Sequence, residues 1–170
     1  MELLSRKIVD RIILIPAGEP LLRESAPVVD GLTRLEMCNL AKNDLPAHLK
    51  SLVEVSDIEV KRSGPSFAID TVQEFSKKND ELFWIIGSDA YANIDKWHRA
   101  DELKDLVNFI VIDRPSNDPS AQSDDTRVDA GIDIGALDIS ATKVRQDSEV
   151  HGVSPSVRAF ITERKLYASK

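Results

Sequence analysis

Three short apolar runs constrain the fold of this chain more than any other feature, since each is uninterrupted and helical patterns lie between them. The runs lie within residues 11–15, 82–86 and 108–112, where the only polar residues are Arg11 and Asn108 at the first positions. A strand that is apolar along its whole length is buried on both faces, as in a parallel sheet covered by helices. The sequence therefore predicts an α/β fold with a doubly wound parallel sheet.

The remaining elements follow from apolar periodicity and from helix start signals. Helices are predicted over residues 31–43, 67–78, 101–106, 140–146 and 155–166, with Ser66 and Ser154 as N-caps and Pro155 opening the last one. Strands are predicted over residues 53–61, with a bulge at Ser56, and at Ile132 to Ile134. Residues 115–127 predict a surface loop. Residues 1–170 are expected to form a single domain.

Charge and composition exclude several classes of protein. A net charge of −7 opposes broad binding to a phosphate backbone, so no nucleic acid partner is expected. The single cysteine, Cys38, allows neither an internal disulfide nor a cysteine metal cluster, and we expect it to be a small core residue. No apolar run reaches the ~18–20 residues needed to span a bilayer, and residues 1–7 lack a signal core, so we expect no membrane partner and a cytoplasmic location.

Ligands of such sheets bind beyond the carboxyl ends of the strands. Ser140 and Thr142 lie where a predicted strand leads into a predicted helix, a place suited to an anion. Arg145 follows one turn later and can form paired hydrogen bonds to phosphate oxygens, while Lys143 adds a charge. These residues indicate a phosphate site; the alternative is that Ser140 is only a helix cap.

The motifs at residues 87–89 and 97–99 are the next candidates, and each has a structural alternative. Gly87 allows a ligand to approach the backbone, and Asp89 either binds ribose hydroxyls or caps the next turn. Trp97 either stacks on a flat heteroaromatic ring or completes the rim of the core. His98 either contacts phosphate or lies on the surface. His48 and His151 are expected to be loop histidines.

Taken in order, these motifs resemble the bacterial nicotinate mononucleotide adenylyltransferase family. The resemblance rests on Val55–Thr71, Ile85–Asp89, Trp97–Arg99 and Ile139–Arg145, with Pro16–Pro20 matching a second family loop. It implies a Rossmann-like nucleotidyltransferase fold. It also implies transfer of the adenylyl group from ATP to nicotinate mononucleotide, giving nicotinate adenine dinucleotide and pyrophosphate in NAD synthesis, with Mg²⁺ accompanying ATP.

The resemblance also assigns roles to individual residues. It implies that ATP is bound by Gly87, Ser88, Asp89, Ile139, Ser140, Thr142 and Arg145. It implies that the mononucleotide is bound by Gly18, Arg23, Phe67, Ala68, Trp97, His98 and Arg99, with Trp97 stacked on the pyridine ring and backbone near Phe67 binding its carboxylate. No catalytic side chain and no protein-bound metal are assigned.

Three departures from the family pattern are visible. The opening segment GGTFDPxHxGH, whose histidines hold the phosphates, is not in the sequence, and Met1–Val9 resembles only the end of the helix that follows it. The loop after Pro20 reads Leu21-Leu22-Arg23 where the family usually has Pro-His-Lys, and Ala68 replaces a common threonine. We expect the sheet to lack its first, central strand, and the true start of the chain to lie upstream.

Two alternatives to this enzyme remain at the level of sequence. One is a non-catalytic nucleotide-binding or interaction paralogue that keeps the mononucleotide half-site. The other is an adenylyltransferase with a different acceptor, such as phosphopantetheine, which the segment from Ser56 to Thr71 and Trp97 oppose.

Overall fold

A computed structural model of the chain describes residues 1–18, 29–78, 80–112, 128–130 and 152–167. These residues form two compact units. The first contains the described residues up to Ser66 together with those from Gly152 onward, and the second contains those from Phe67 to Ala130. Strands and helices alternate in both units, and the strands form two parallel sheets, which confirms the predicted α/β class.

The first unit is built on a pair of parallel strands. Its elements are α1 (Glu2–Ser5), β1 (Ile12–Leu14), α2 (Gly31–Asn43), α3 (Ala47–Lys50), β2 (Val53–Val55) and α7 (Pro155–Glu163). Ile12 pairs with Val53 and Leu14 with Val55. The buried side chains of Leu4, Leu49 and Val53 form its core, and β1 packs against them.

The end of β2 differs from the prediction. The strand stops at Val55, and residues 58–60 form a turn instead of continuing the predicted strand to residue 61. The hydroxyl of Ser56 accepts the N–H of Ile58, and the carbonyl of Asp57 accepts the N–H of Lys61 at 2.9 Å. Short polar side chains that bond to nearby backbone favour turns, so the polar residues that indicated a bulge end the strand.

The second unit contains a three-stranded parallel sheet with helices packed on it. Its elements are α4 (Ala68–Ser76), β3 (Phe83–Gly87), α5 (Ser88–Tyr91), a 3₁₀ turn (Ile94–Lys96), α6 (Ala100–Leu106), β4 (Asn108–Ile112) and β5 (Val128–Ala130). The strand order is β3-β4-β5. Ile69 and Leu103 are fully buried in the core cluster that joins α4 and α6 to the sheet.

Two predicted caps differ in detail from the structure. Helix α4 begins at Ala68 with Phe67 at the N-cap, so Ser66 does not cap it. Ser66 instead turns its hydroxyl toward Gly18, where the oxygen is buried. Ser154 does occupy the N-cap position of α7, but the Asp44 carboxylate receives the N–H and the hydroxyl of Ser156, at 2.9 Å and 2.5 Å.

The other predicted boundaries agree with the structure to within three residues or lie outside the described residues. Helix α2 has the predicted bounds, and β4 matches its predicted run. The strand predicted at Ile132 to Ile134, the helix predicted over residues 140–146 and most of the predicted loop over residues 115–127 lie outside the described residues. None of the described helices is long and apolar enough to cross a membrane.

Candidate functional site

Most of the predicted site residues that the structure describes belong to the second unit. They are Phe67 and Ala68 at the start of α4, Gly87, Ser88 and Asp89 at the end of β3, and Trp97, His98 and Arg99 before α6. Gly18 belongs to the first unit. Arg23, Ile139, Ser140, Thr142 and Arg145 lie outside the described residues, as do Lys143 and His151.

The carboxyl end of β3 brings Gly87 and Asp89 together. Gly87 is the last residue of β3 and also the N-cap of α5, where its φ of −76° and ψ of 151° are extended. A Cβ atom at Gly87 would lie 2.7 Å from the Oδ1 atom of Asp89, so the absence of a side chain at Gly87 lets the Asp89 carboxylate fold back over the strand end. Asp89 is exposed there, and its oxygens can accept hydrogen bonds from a ligand.

The start of α4 offers backbone donors. Phe67 is the N-cap residue and has extended backbone angles, and its side chain makes no capping hydrogen bond. The first N–H groups of a helix have no partner within the helix, and the helix dipole is positive at that end. Phe67 and Ala68 therefore lie where a carboxylate can be bound. Asp70 is the acidic residue of the same turn.

The turn before α6 meets the start of α4 through two aromatic rings. The exposed imidazole of His98 stacks on the ring of Phe67, with ring centroids 4.2 Å apart and planes inclined by 30°. The turn and the helix start are distant in sequence but adjacent in the structure. The predicted mononucleotide residues of the second unit therefore form one surface.

Trp97 is half-buried and lies beside the hydrophobic core. Its ring meets Trp84 edge to face, with centroids 6.3 Å apart and planes at 85°. Trp84 lies in β3, so the sheet fixes the orientation of the Trp97 ring. The structure supports the predicted rim position, and a rim tryptophan that keeps part of its surface open can also stack on a flat ring.

Arg99 is held in a left-handed backbone conformation, with φ of 54° and ψ of 47°. Its guanidinium donates to both carboxylate oxygens of Glu102, at 2.6 Å and 2.8 Å. Gln73 of α4 donates to the same carboxylate at 2.7 Å. Glu102 therefore ties the turn that carries Trp97 and His98 to α4. The sequence reasoning missed Gln73 and Glu102; the i,i+3 spacing of Arg99 and Glu102 was the one available signal.

Gly18 lies after β1 in a crowded part of the first unit. Its N–H donates to the Oε2 atom of Glu59 at 3.4 Å, and a Cβ atom at Gly18 would lie 2.3 Å from the carbonyl oxygen of Glu59. Arg34 donates to the carbonyl of Gly18 at 3.0 Å. Glu59 is only 7% exposed. The sequence reasoning missed both Arg34 and Glu59, whose roles depend on contacts distant in sequence.

The electrostatics around Arg34 also bear on the cysteine. Burial raises the pKa of the Cys38 thiol above its usual value, and the nearby Arg34 charge partly opposes that shift. A raised pKa keeps the thiol protonated, and a protonated thiol is a poor nucleophile. Cys38 is half-buried. His48 is exposed but lies in α3, so the prediction that it is a loop histidine was wrong.

The described residues contain no group of three histidine, cysteine, aspartate or glutamate side chains able to hold a metal ion. A cavity of about 440 Å³ lies at the amino ends of β3 and β4, beside Leu82 and Asn108. Those ends are opposite to Gly87, so this cavity is separate from the candidate site.

Comparison with known proteins identifies the family of the chain. Residues 2–147 match the family described as cytidylyltransferase-like. The chain is 30% identical to a probable nicotinate-nucleotide adenylyltransferase of Caldicellulosiruptor bescii, over 94% of the chain and 84% of the relative. It is 33% identical to a protein of the same name from Methylacidiphilum infernorum, over 98% of the chain and 82% of the relative.

Solved structures show the same fold. A Plasmodium falciparum nicotinic acid mononucleotide adenylyltransferase complexed with NaAD superposes with a TM-score of 0.67 at 19% identity, covering 94% of this chain and 83% of the other. The same enzyme complexed with APC gives a TM-score of 0.64 at 19% identity, with the same coverage. At this level of identity, the likeness establishes a Rossmann-like nucleotidyltransferase fold.

Proposed function

Because the chain belongs to the nicotinate-nucleotide adenylyltransferase family of cytidylyltransferase-like proteins, we propose that it is an adenylyltransferase of NAD synthesis. Its substrates are ATP and nicotinate mononucleotide, and its products are nicotinate adenine dinucleotide and pyrophosphate. The phosphate oxygen of the mononucleotide attacks the α-phosphorus of ATP. A new P–O bond forms as the bond to the bridging α,β-oxygen breaks, and pyrophosphate leaves with that electron pair.

The stacked pair of Phe67 and His98 is the observation that carries this proposal. It joins the start of α4 to the turn that carries Trp97. A flat pyridine ring on Trp97 and a carboxylate at the N–H groups of Phe67 and Ala68 match the two ends of nicotinate. Nicotinate mononucleotide therefore suits this surface better than an acceptor without a ring and a carboxylate.

The proposed ATP site lies at the carboxyl end of β3. The Gly87 backbone leaves room for the nucleoside, Ser88 opens α5, and the Asp89 carboxylate accepts hydrogen bonds from ribose hydroxyls. We assign the ATP phosphates to Ile139, Ser140, Thr142 and Arg145 by family resemblance. On the mononucleotide side, Gly18, Arg23 and Arg99 complete the proposed set.

Mg²⁺ enters this proposal as part of the MgATP substrate. The described residues hold no cluster of three metal-binding side chains, so a dedicated protein cage does not fit the part of the site that they form. Mg²⁺ in nucleotide sites is commonly held by phosphates and water with few protein ligands. The work left to the protein is to align the two phosphates and to balance their charge.

A coupled assay tests the proposed reaction. Pyrophosphate release is followed with the full chain, MgATP and nicotinate mononucleotide, and again with phosphopantetheine as acceptor. We expect release with nicotinate mononucleotide only. Release with phosphopantetheine alone would overturn the substrate. A rise in Tm with both nucleotides but no turnover would instead indicate the non-catalytic paralogue.

The variants Trp97→Phe and Trp97→Ala test whether Trp97 binds the pyridine ring on this surface. Loss of stacking on one ring typically costs about 1–3 kcal/mol, so we expect Trp97→Ala to raise KM for nicotinate mononucleotide about tenfold. Trp97→Phe keeps a flat ring, and its KM should lie between those of the wild type and Trp97→Ala. An unchanged KM in a folded Trp97→Ala variant would remove Trp97 from the substrate site.

A further inference from the structure

One side chain, Arg34, holds two separated stretches of backbone in the first unit. Arg34 lies in the first turn of α2, and its guanidinium donates to three carbonyl oxygens. Nη1 donates to Ala17, Nη2 donates to Gly18 at 3.0 Å, and Nε donates to Val29 at 3.3 Å. The contacts are partly buried, which shields them from competition with water.

These acceptors lie at the two ends of residues 19–28. The chain leaves β1 through Ala17 and Gly18, and it returns at Val29 just before α2. Arg34 therefore fixes the point where this stretch begins and the point where it ends.

The N–H group of Gly18 is held in place as well as its carbonyl. The buried carboxylate of Glu59 accepts the Gly18 N–H, while Arg34 holds the Gly18 carbonyl. The Glu59 backbone packs so closely on Gly18 that a Cβ atom would not fit. The peptide groups around Gly18 are therefore clamped between a cation on one side and a carboxylate on the other.

We propose that Arg34 is a positioning residue for the mononucleotide, acting through the backbone at Gly18 and Val29. The inference rests on the proposed function, in which Gly18 belongs to the mononucleotide site. An arginine suits this task because its planar fork carries five N–H donors in fixed directions. A lysine at this position keeps the charge but cannot reach three carbonyls with the same geometry.

The test compares Arg34→Met and Arg34→Lys with Arg6→Met. Arg6 is a matched control because it is an exposed arginine, paired with Glu2 on α1. Steady-state pyrophosphate release gives kcat and both KM values for each full-length variant. Amide hydrogen exchange of the peptides that contain Ala17, Gly18 and Val29 is measured in parallel without any ligand.

We expect Arg34→Met to raise KM for nicotinate mononucleotide about tenfold, a change equivalent to about 1.4 kcal/mol. Its kcat and its KM for ATP should stay within about twofold, since Arg34 touches neither substrate. Arg34→Lys should give an intermediate KM, and Arg6→Met should match the wild type. Exchange at Gly18 and Val29 should be faster in Arg34→Met.

An unchanged KM for nicotinate mononucleotide in folded Arg34→Met would overturn the proposal. If Arg34→Met does not fold, the KM of Arg34→Lys decides the question in the same way. If the wild type shows no turnover, the proposed function has failed. Hydrogen exchange alone then tests whether Arg34 positions the backbone at Gly18 and Val29. Faster exchange in that case still supports positioning of Gly18 and Val29, and unchanged exchange refutes it.

Discussion

Two glycines of the proposed site, Gly18 after β1 and Gly87 at the end of β3, lie in different surroundings. A Cβ atom at Gly18 would lie 2.3 Å from the carbonyl oxygen of Glu59, which is backbone and cannot turn away. A Cβ atom at Gly87 would lie 2.7 Å from the carboxylate of Asp89, the end of a side chain that can rotate. The same substitution should therefore have opposite consequences for stability and function.

Gly18→Ala is expected to destabilise the fold. The clash with the Glu59 backbone forces the chain apart, and overpacking of this kind costs about 1–3 kcal/mol. Chemical denaturation with urea measures the loss. Gly31→Ala is the control, since the nearest atoms to its Cβ would all belong to side chains, the methyl groups of Val60 at 3.1 Å and 3.4 Å and Nη2 of Arg34 at 3.6 Å, and alanine favours a helix. Equal stability of the two variants would contradict this reading of Gly18.

Gly87→Ala is expected to leave the fold intact and to weaken ATP binding. The added methyl group pushes the Asp89 carboxylate from its place over the strand end, and hydrogen bonds to a charged group are worth about 1.5–3 kcal/mol. We expect KM for ATP to rise about tenfold with little change in Tm. Asp89→Asn should raise the same KM. A large fall in Tm with an unchanged KM would show that Gly87 is needed only for folding.

The candidate site residues are easier to recognise in the sequence than the residues that hold them in place. Gly87 and Trp97 stand out in the sequence, because glycine after an apolar strand and tryptophan after a polar stretch are recognisable locally. Arg34, Glu59 and Glu102 do not stand out. Their partners lie elsewhere in the chain, so only the folded structure shows which charges hold the backbone of the site.

At the scale of elements, Asp44 joins the end of α2 to the start of α7. Its carboxylate accepts the N–H and the hydroxyl of Ser156, so a residue from another helix supplies the cap that the sequence assigned to Ser154. These hydrogen bonds lower the pKa of Asp44 below its ordinary value of 3.8, with the Ser156 hydroxyl as the largest cause. Hydrogen bonds to the ionised form always shift a carboxyl in this direction.

Asp44→Ala is expected to lower Tm near neutral pH. Because the folded-state pKa is depressed, the contribution of Asp44 is fully present above the unfolded-state pKa and is lost as pH falls through the folded-state pKa. The Tm difference from the wild type should therefore be constant from pH 7 to about 5 and shrink below about pH 4. Thermal melts across this range measure it, with Asp10→Ala as the control. A pH-independent difference would show that ionisation of Asp44 does not matter.

Element type was more predictable than element ends. The apolar run of β4 gave the right bounds because burial decides them. The predicted bounds of α2 were also right, although none of its residues is buried; its start is fixed by the Asp30 side chain, which accepts the Thr33 N–H. The end of β2 was wrong because the chain turns there, with the Ser56 hydroxyl accepting the Ile58 N–H and the Asp57 carbonyl accepting the Lys61 N–H. The start of α4 was wrong because Ser66 turns toward Gly18 instead of the helix.

At the scale of the whole molecule, the parallel class was predictable because apolar strands need cover on both faces. The described strands form one parallel sheet in each of two units. Apolar periodicity alone does not predict this division. The single domain and the absent first strand stay predictions. The roles of Arg23, Ser140, Thr142 and Arg145 also stay predictions, because these residues lie outside the described part of the chain.

The two half-sites of the second unit lead to a prediction about the product. Gly87 and Asp89 at the end of β3 are proposed to hold the adenosine half, and Trp97 and Phe67 are proposed to hold the nicotinate half. A dinucleotide links these halves covalently, so binding of the second half has the high effective concentration of an intramolecular event. Nicotinate adenine dinucleotide should therefore bind at least about tenfold more tightly than nicotinate mononucleotide or AMP.

Titration calorimetry with each ligand measures these affinities. In the Trp97→Ala variant the dinucleotide should lose affinity by the same factor as the mononucleotide, while AMP should bind as it does to the wild type, since AMP never reaches the pyridine side. A dinucleotide that binds no better than AMP to the wild type would show that the two half-sites are not engaged together. Adenylyl transfer between them would then lack its geometric basis, because in-line attack requires both phosphates to be held at once.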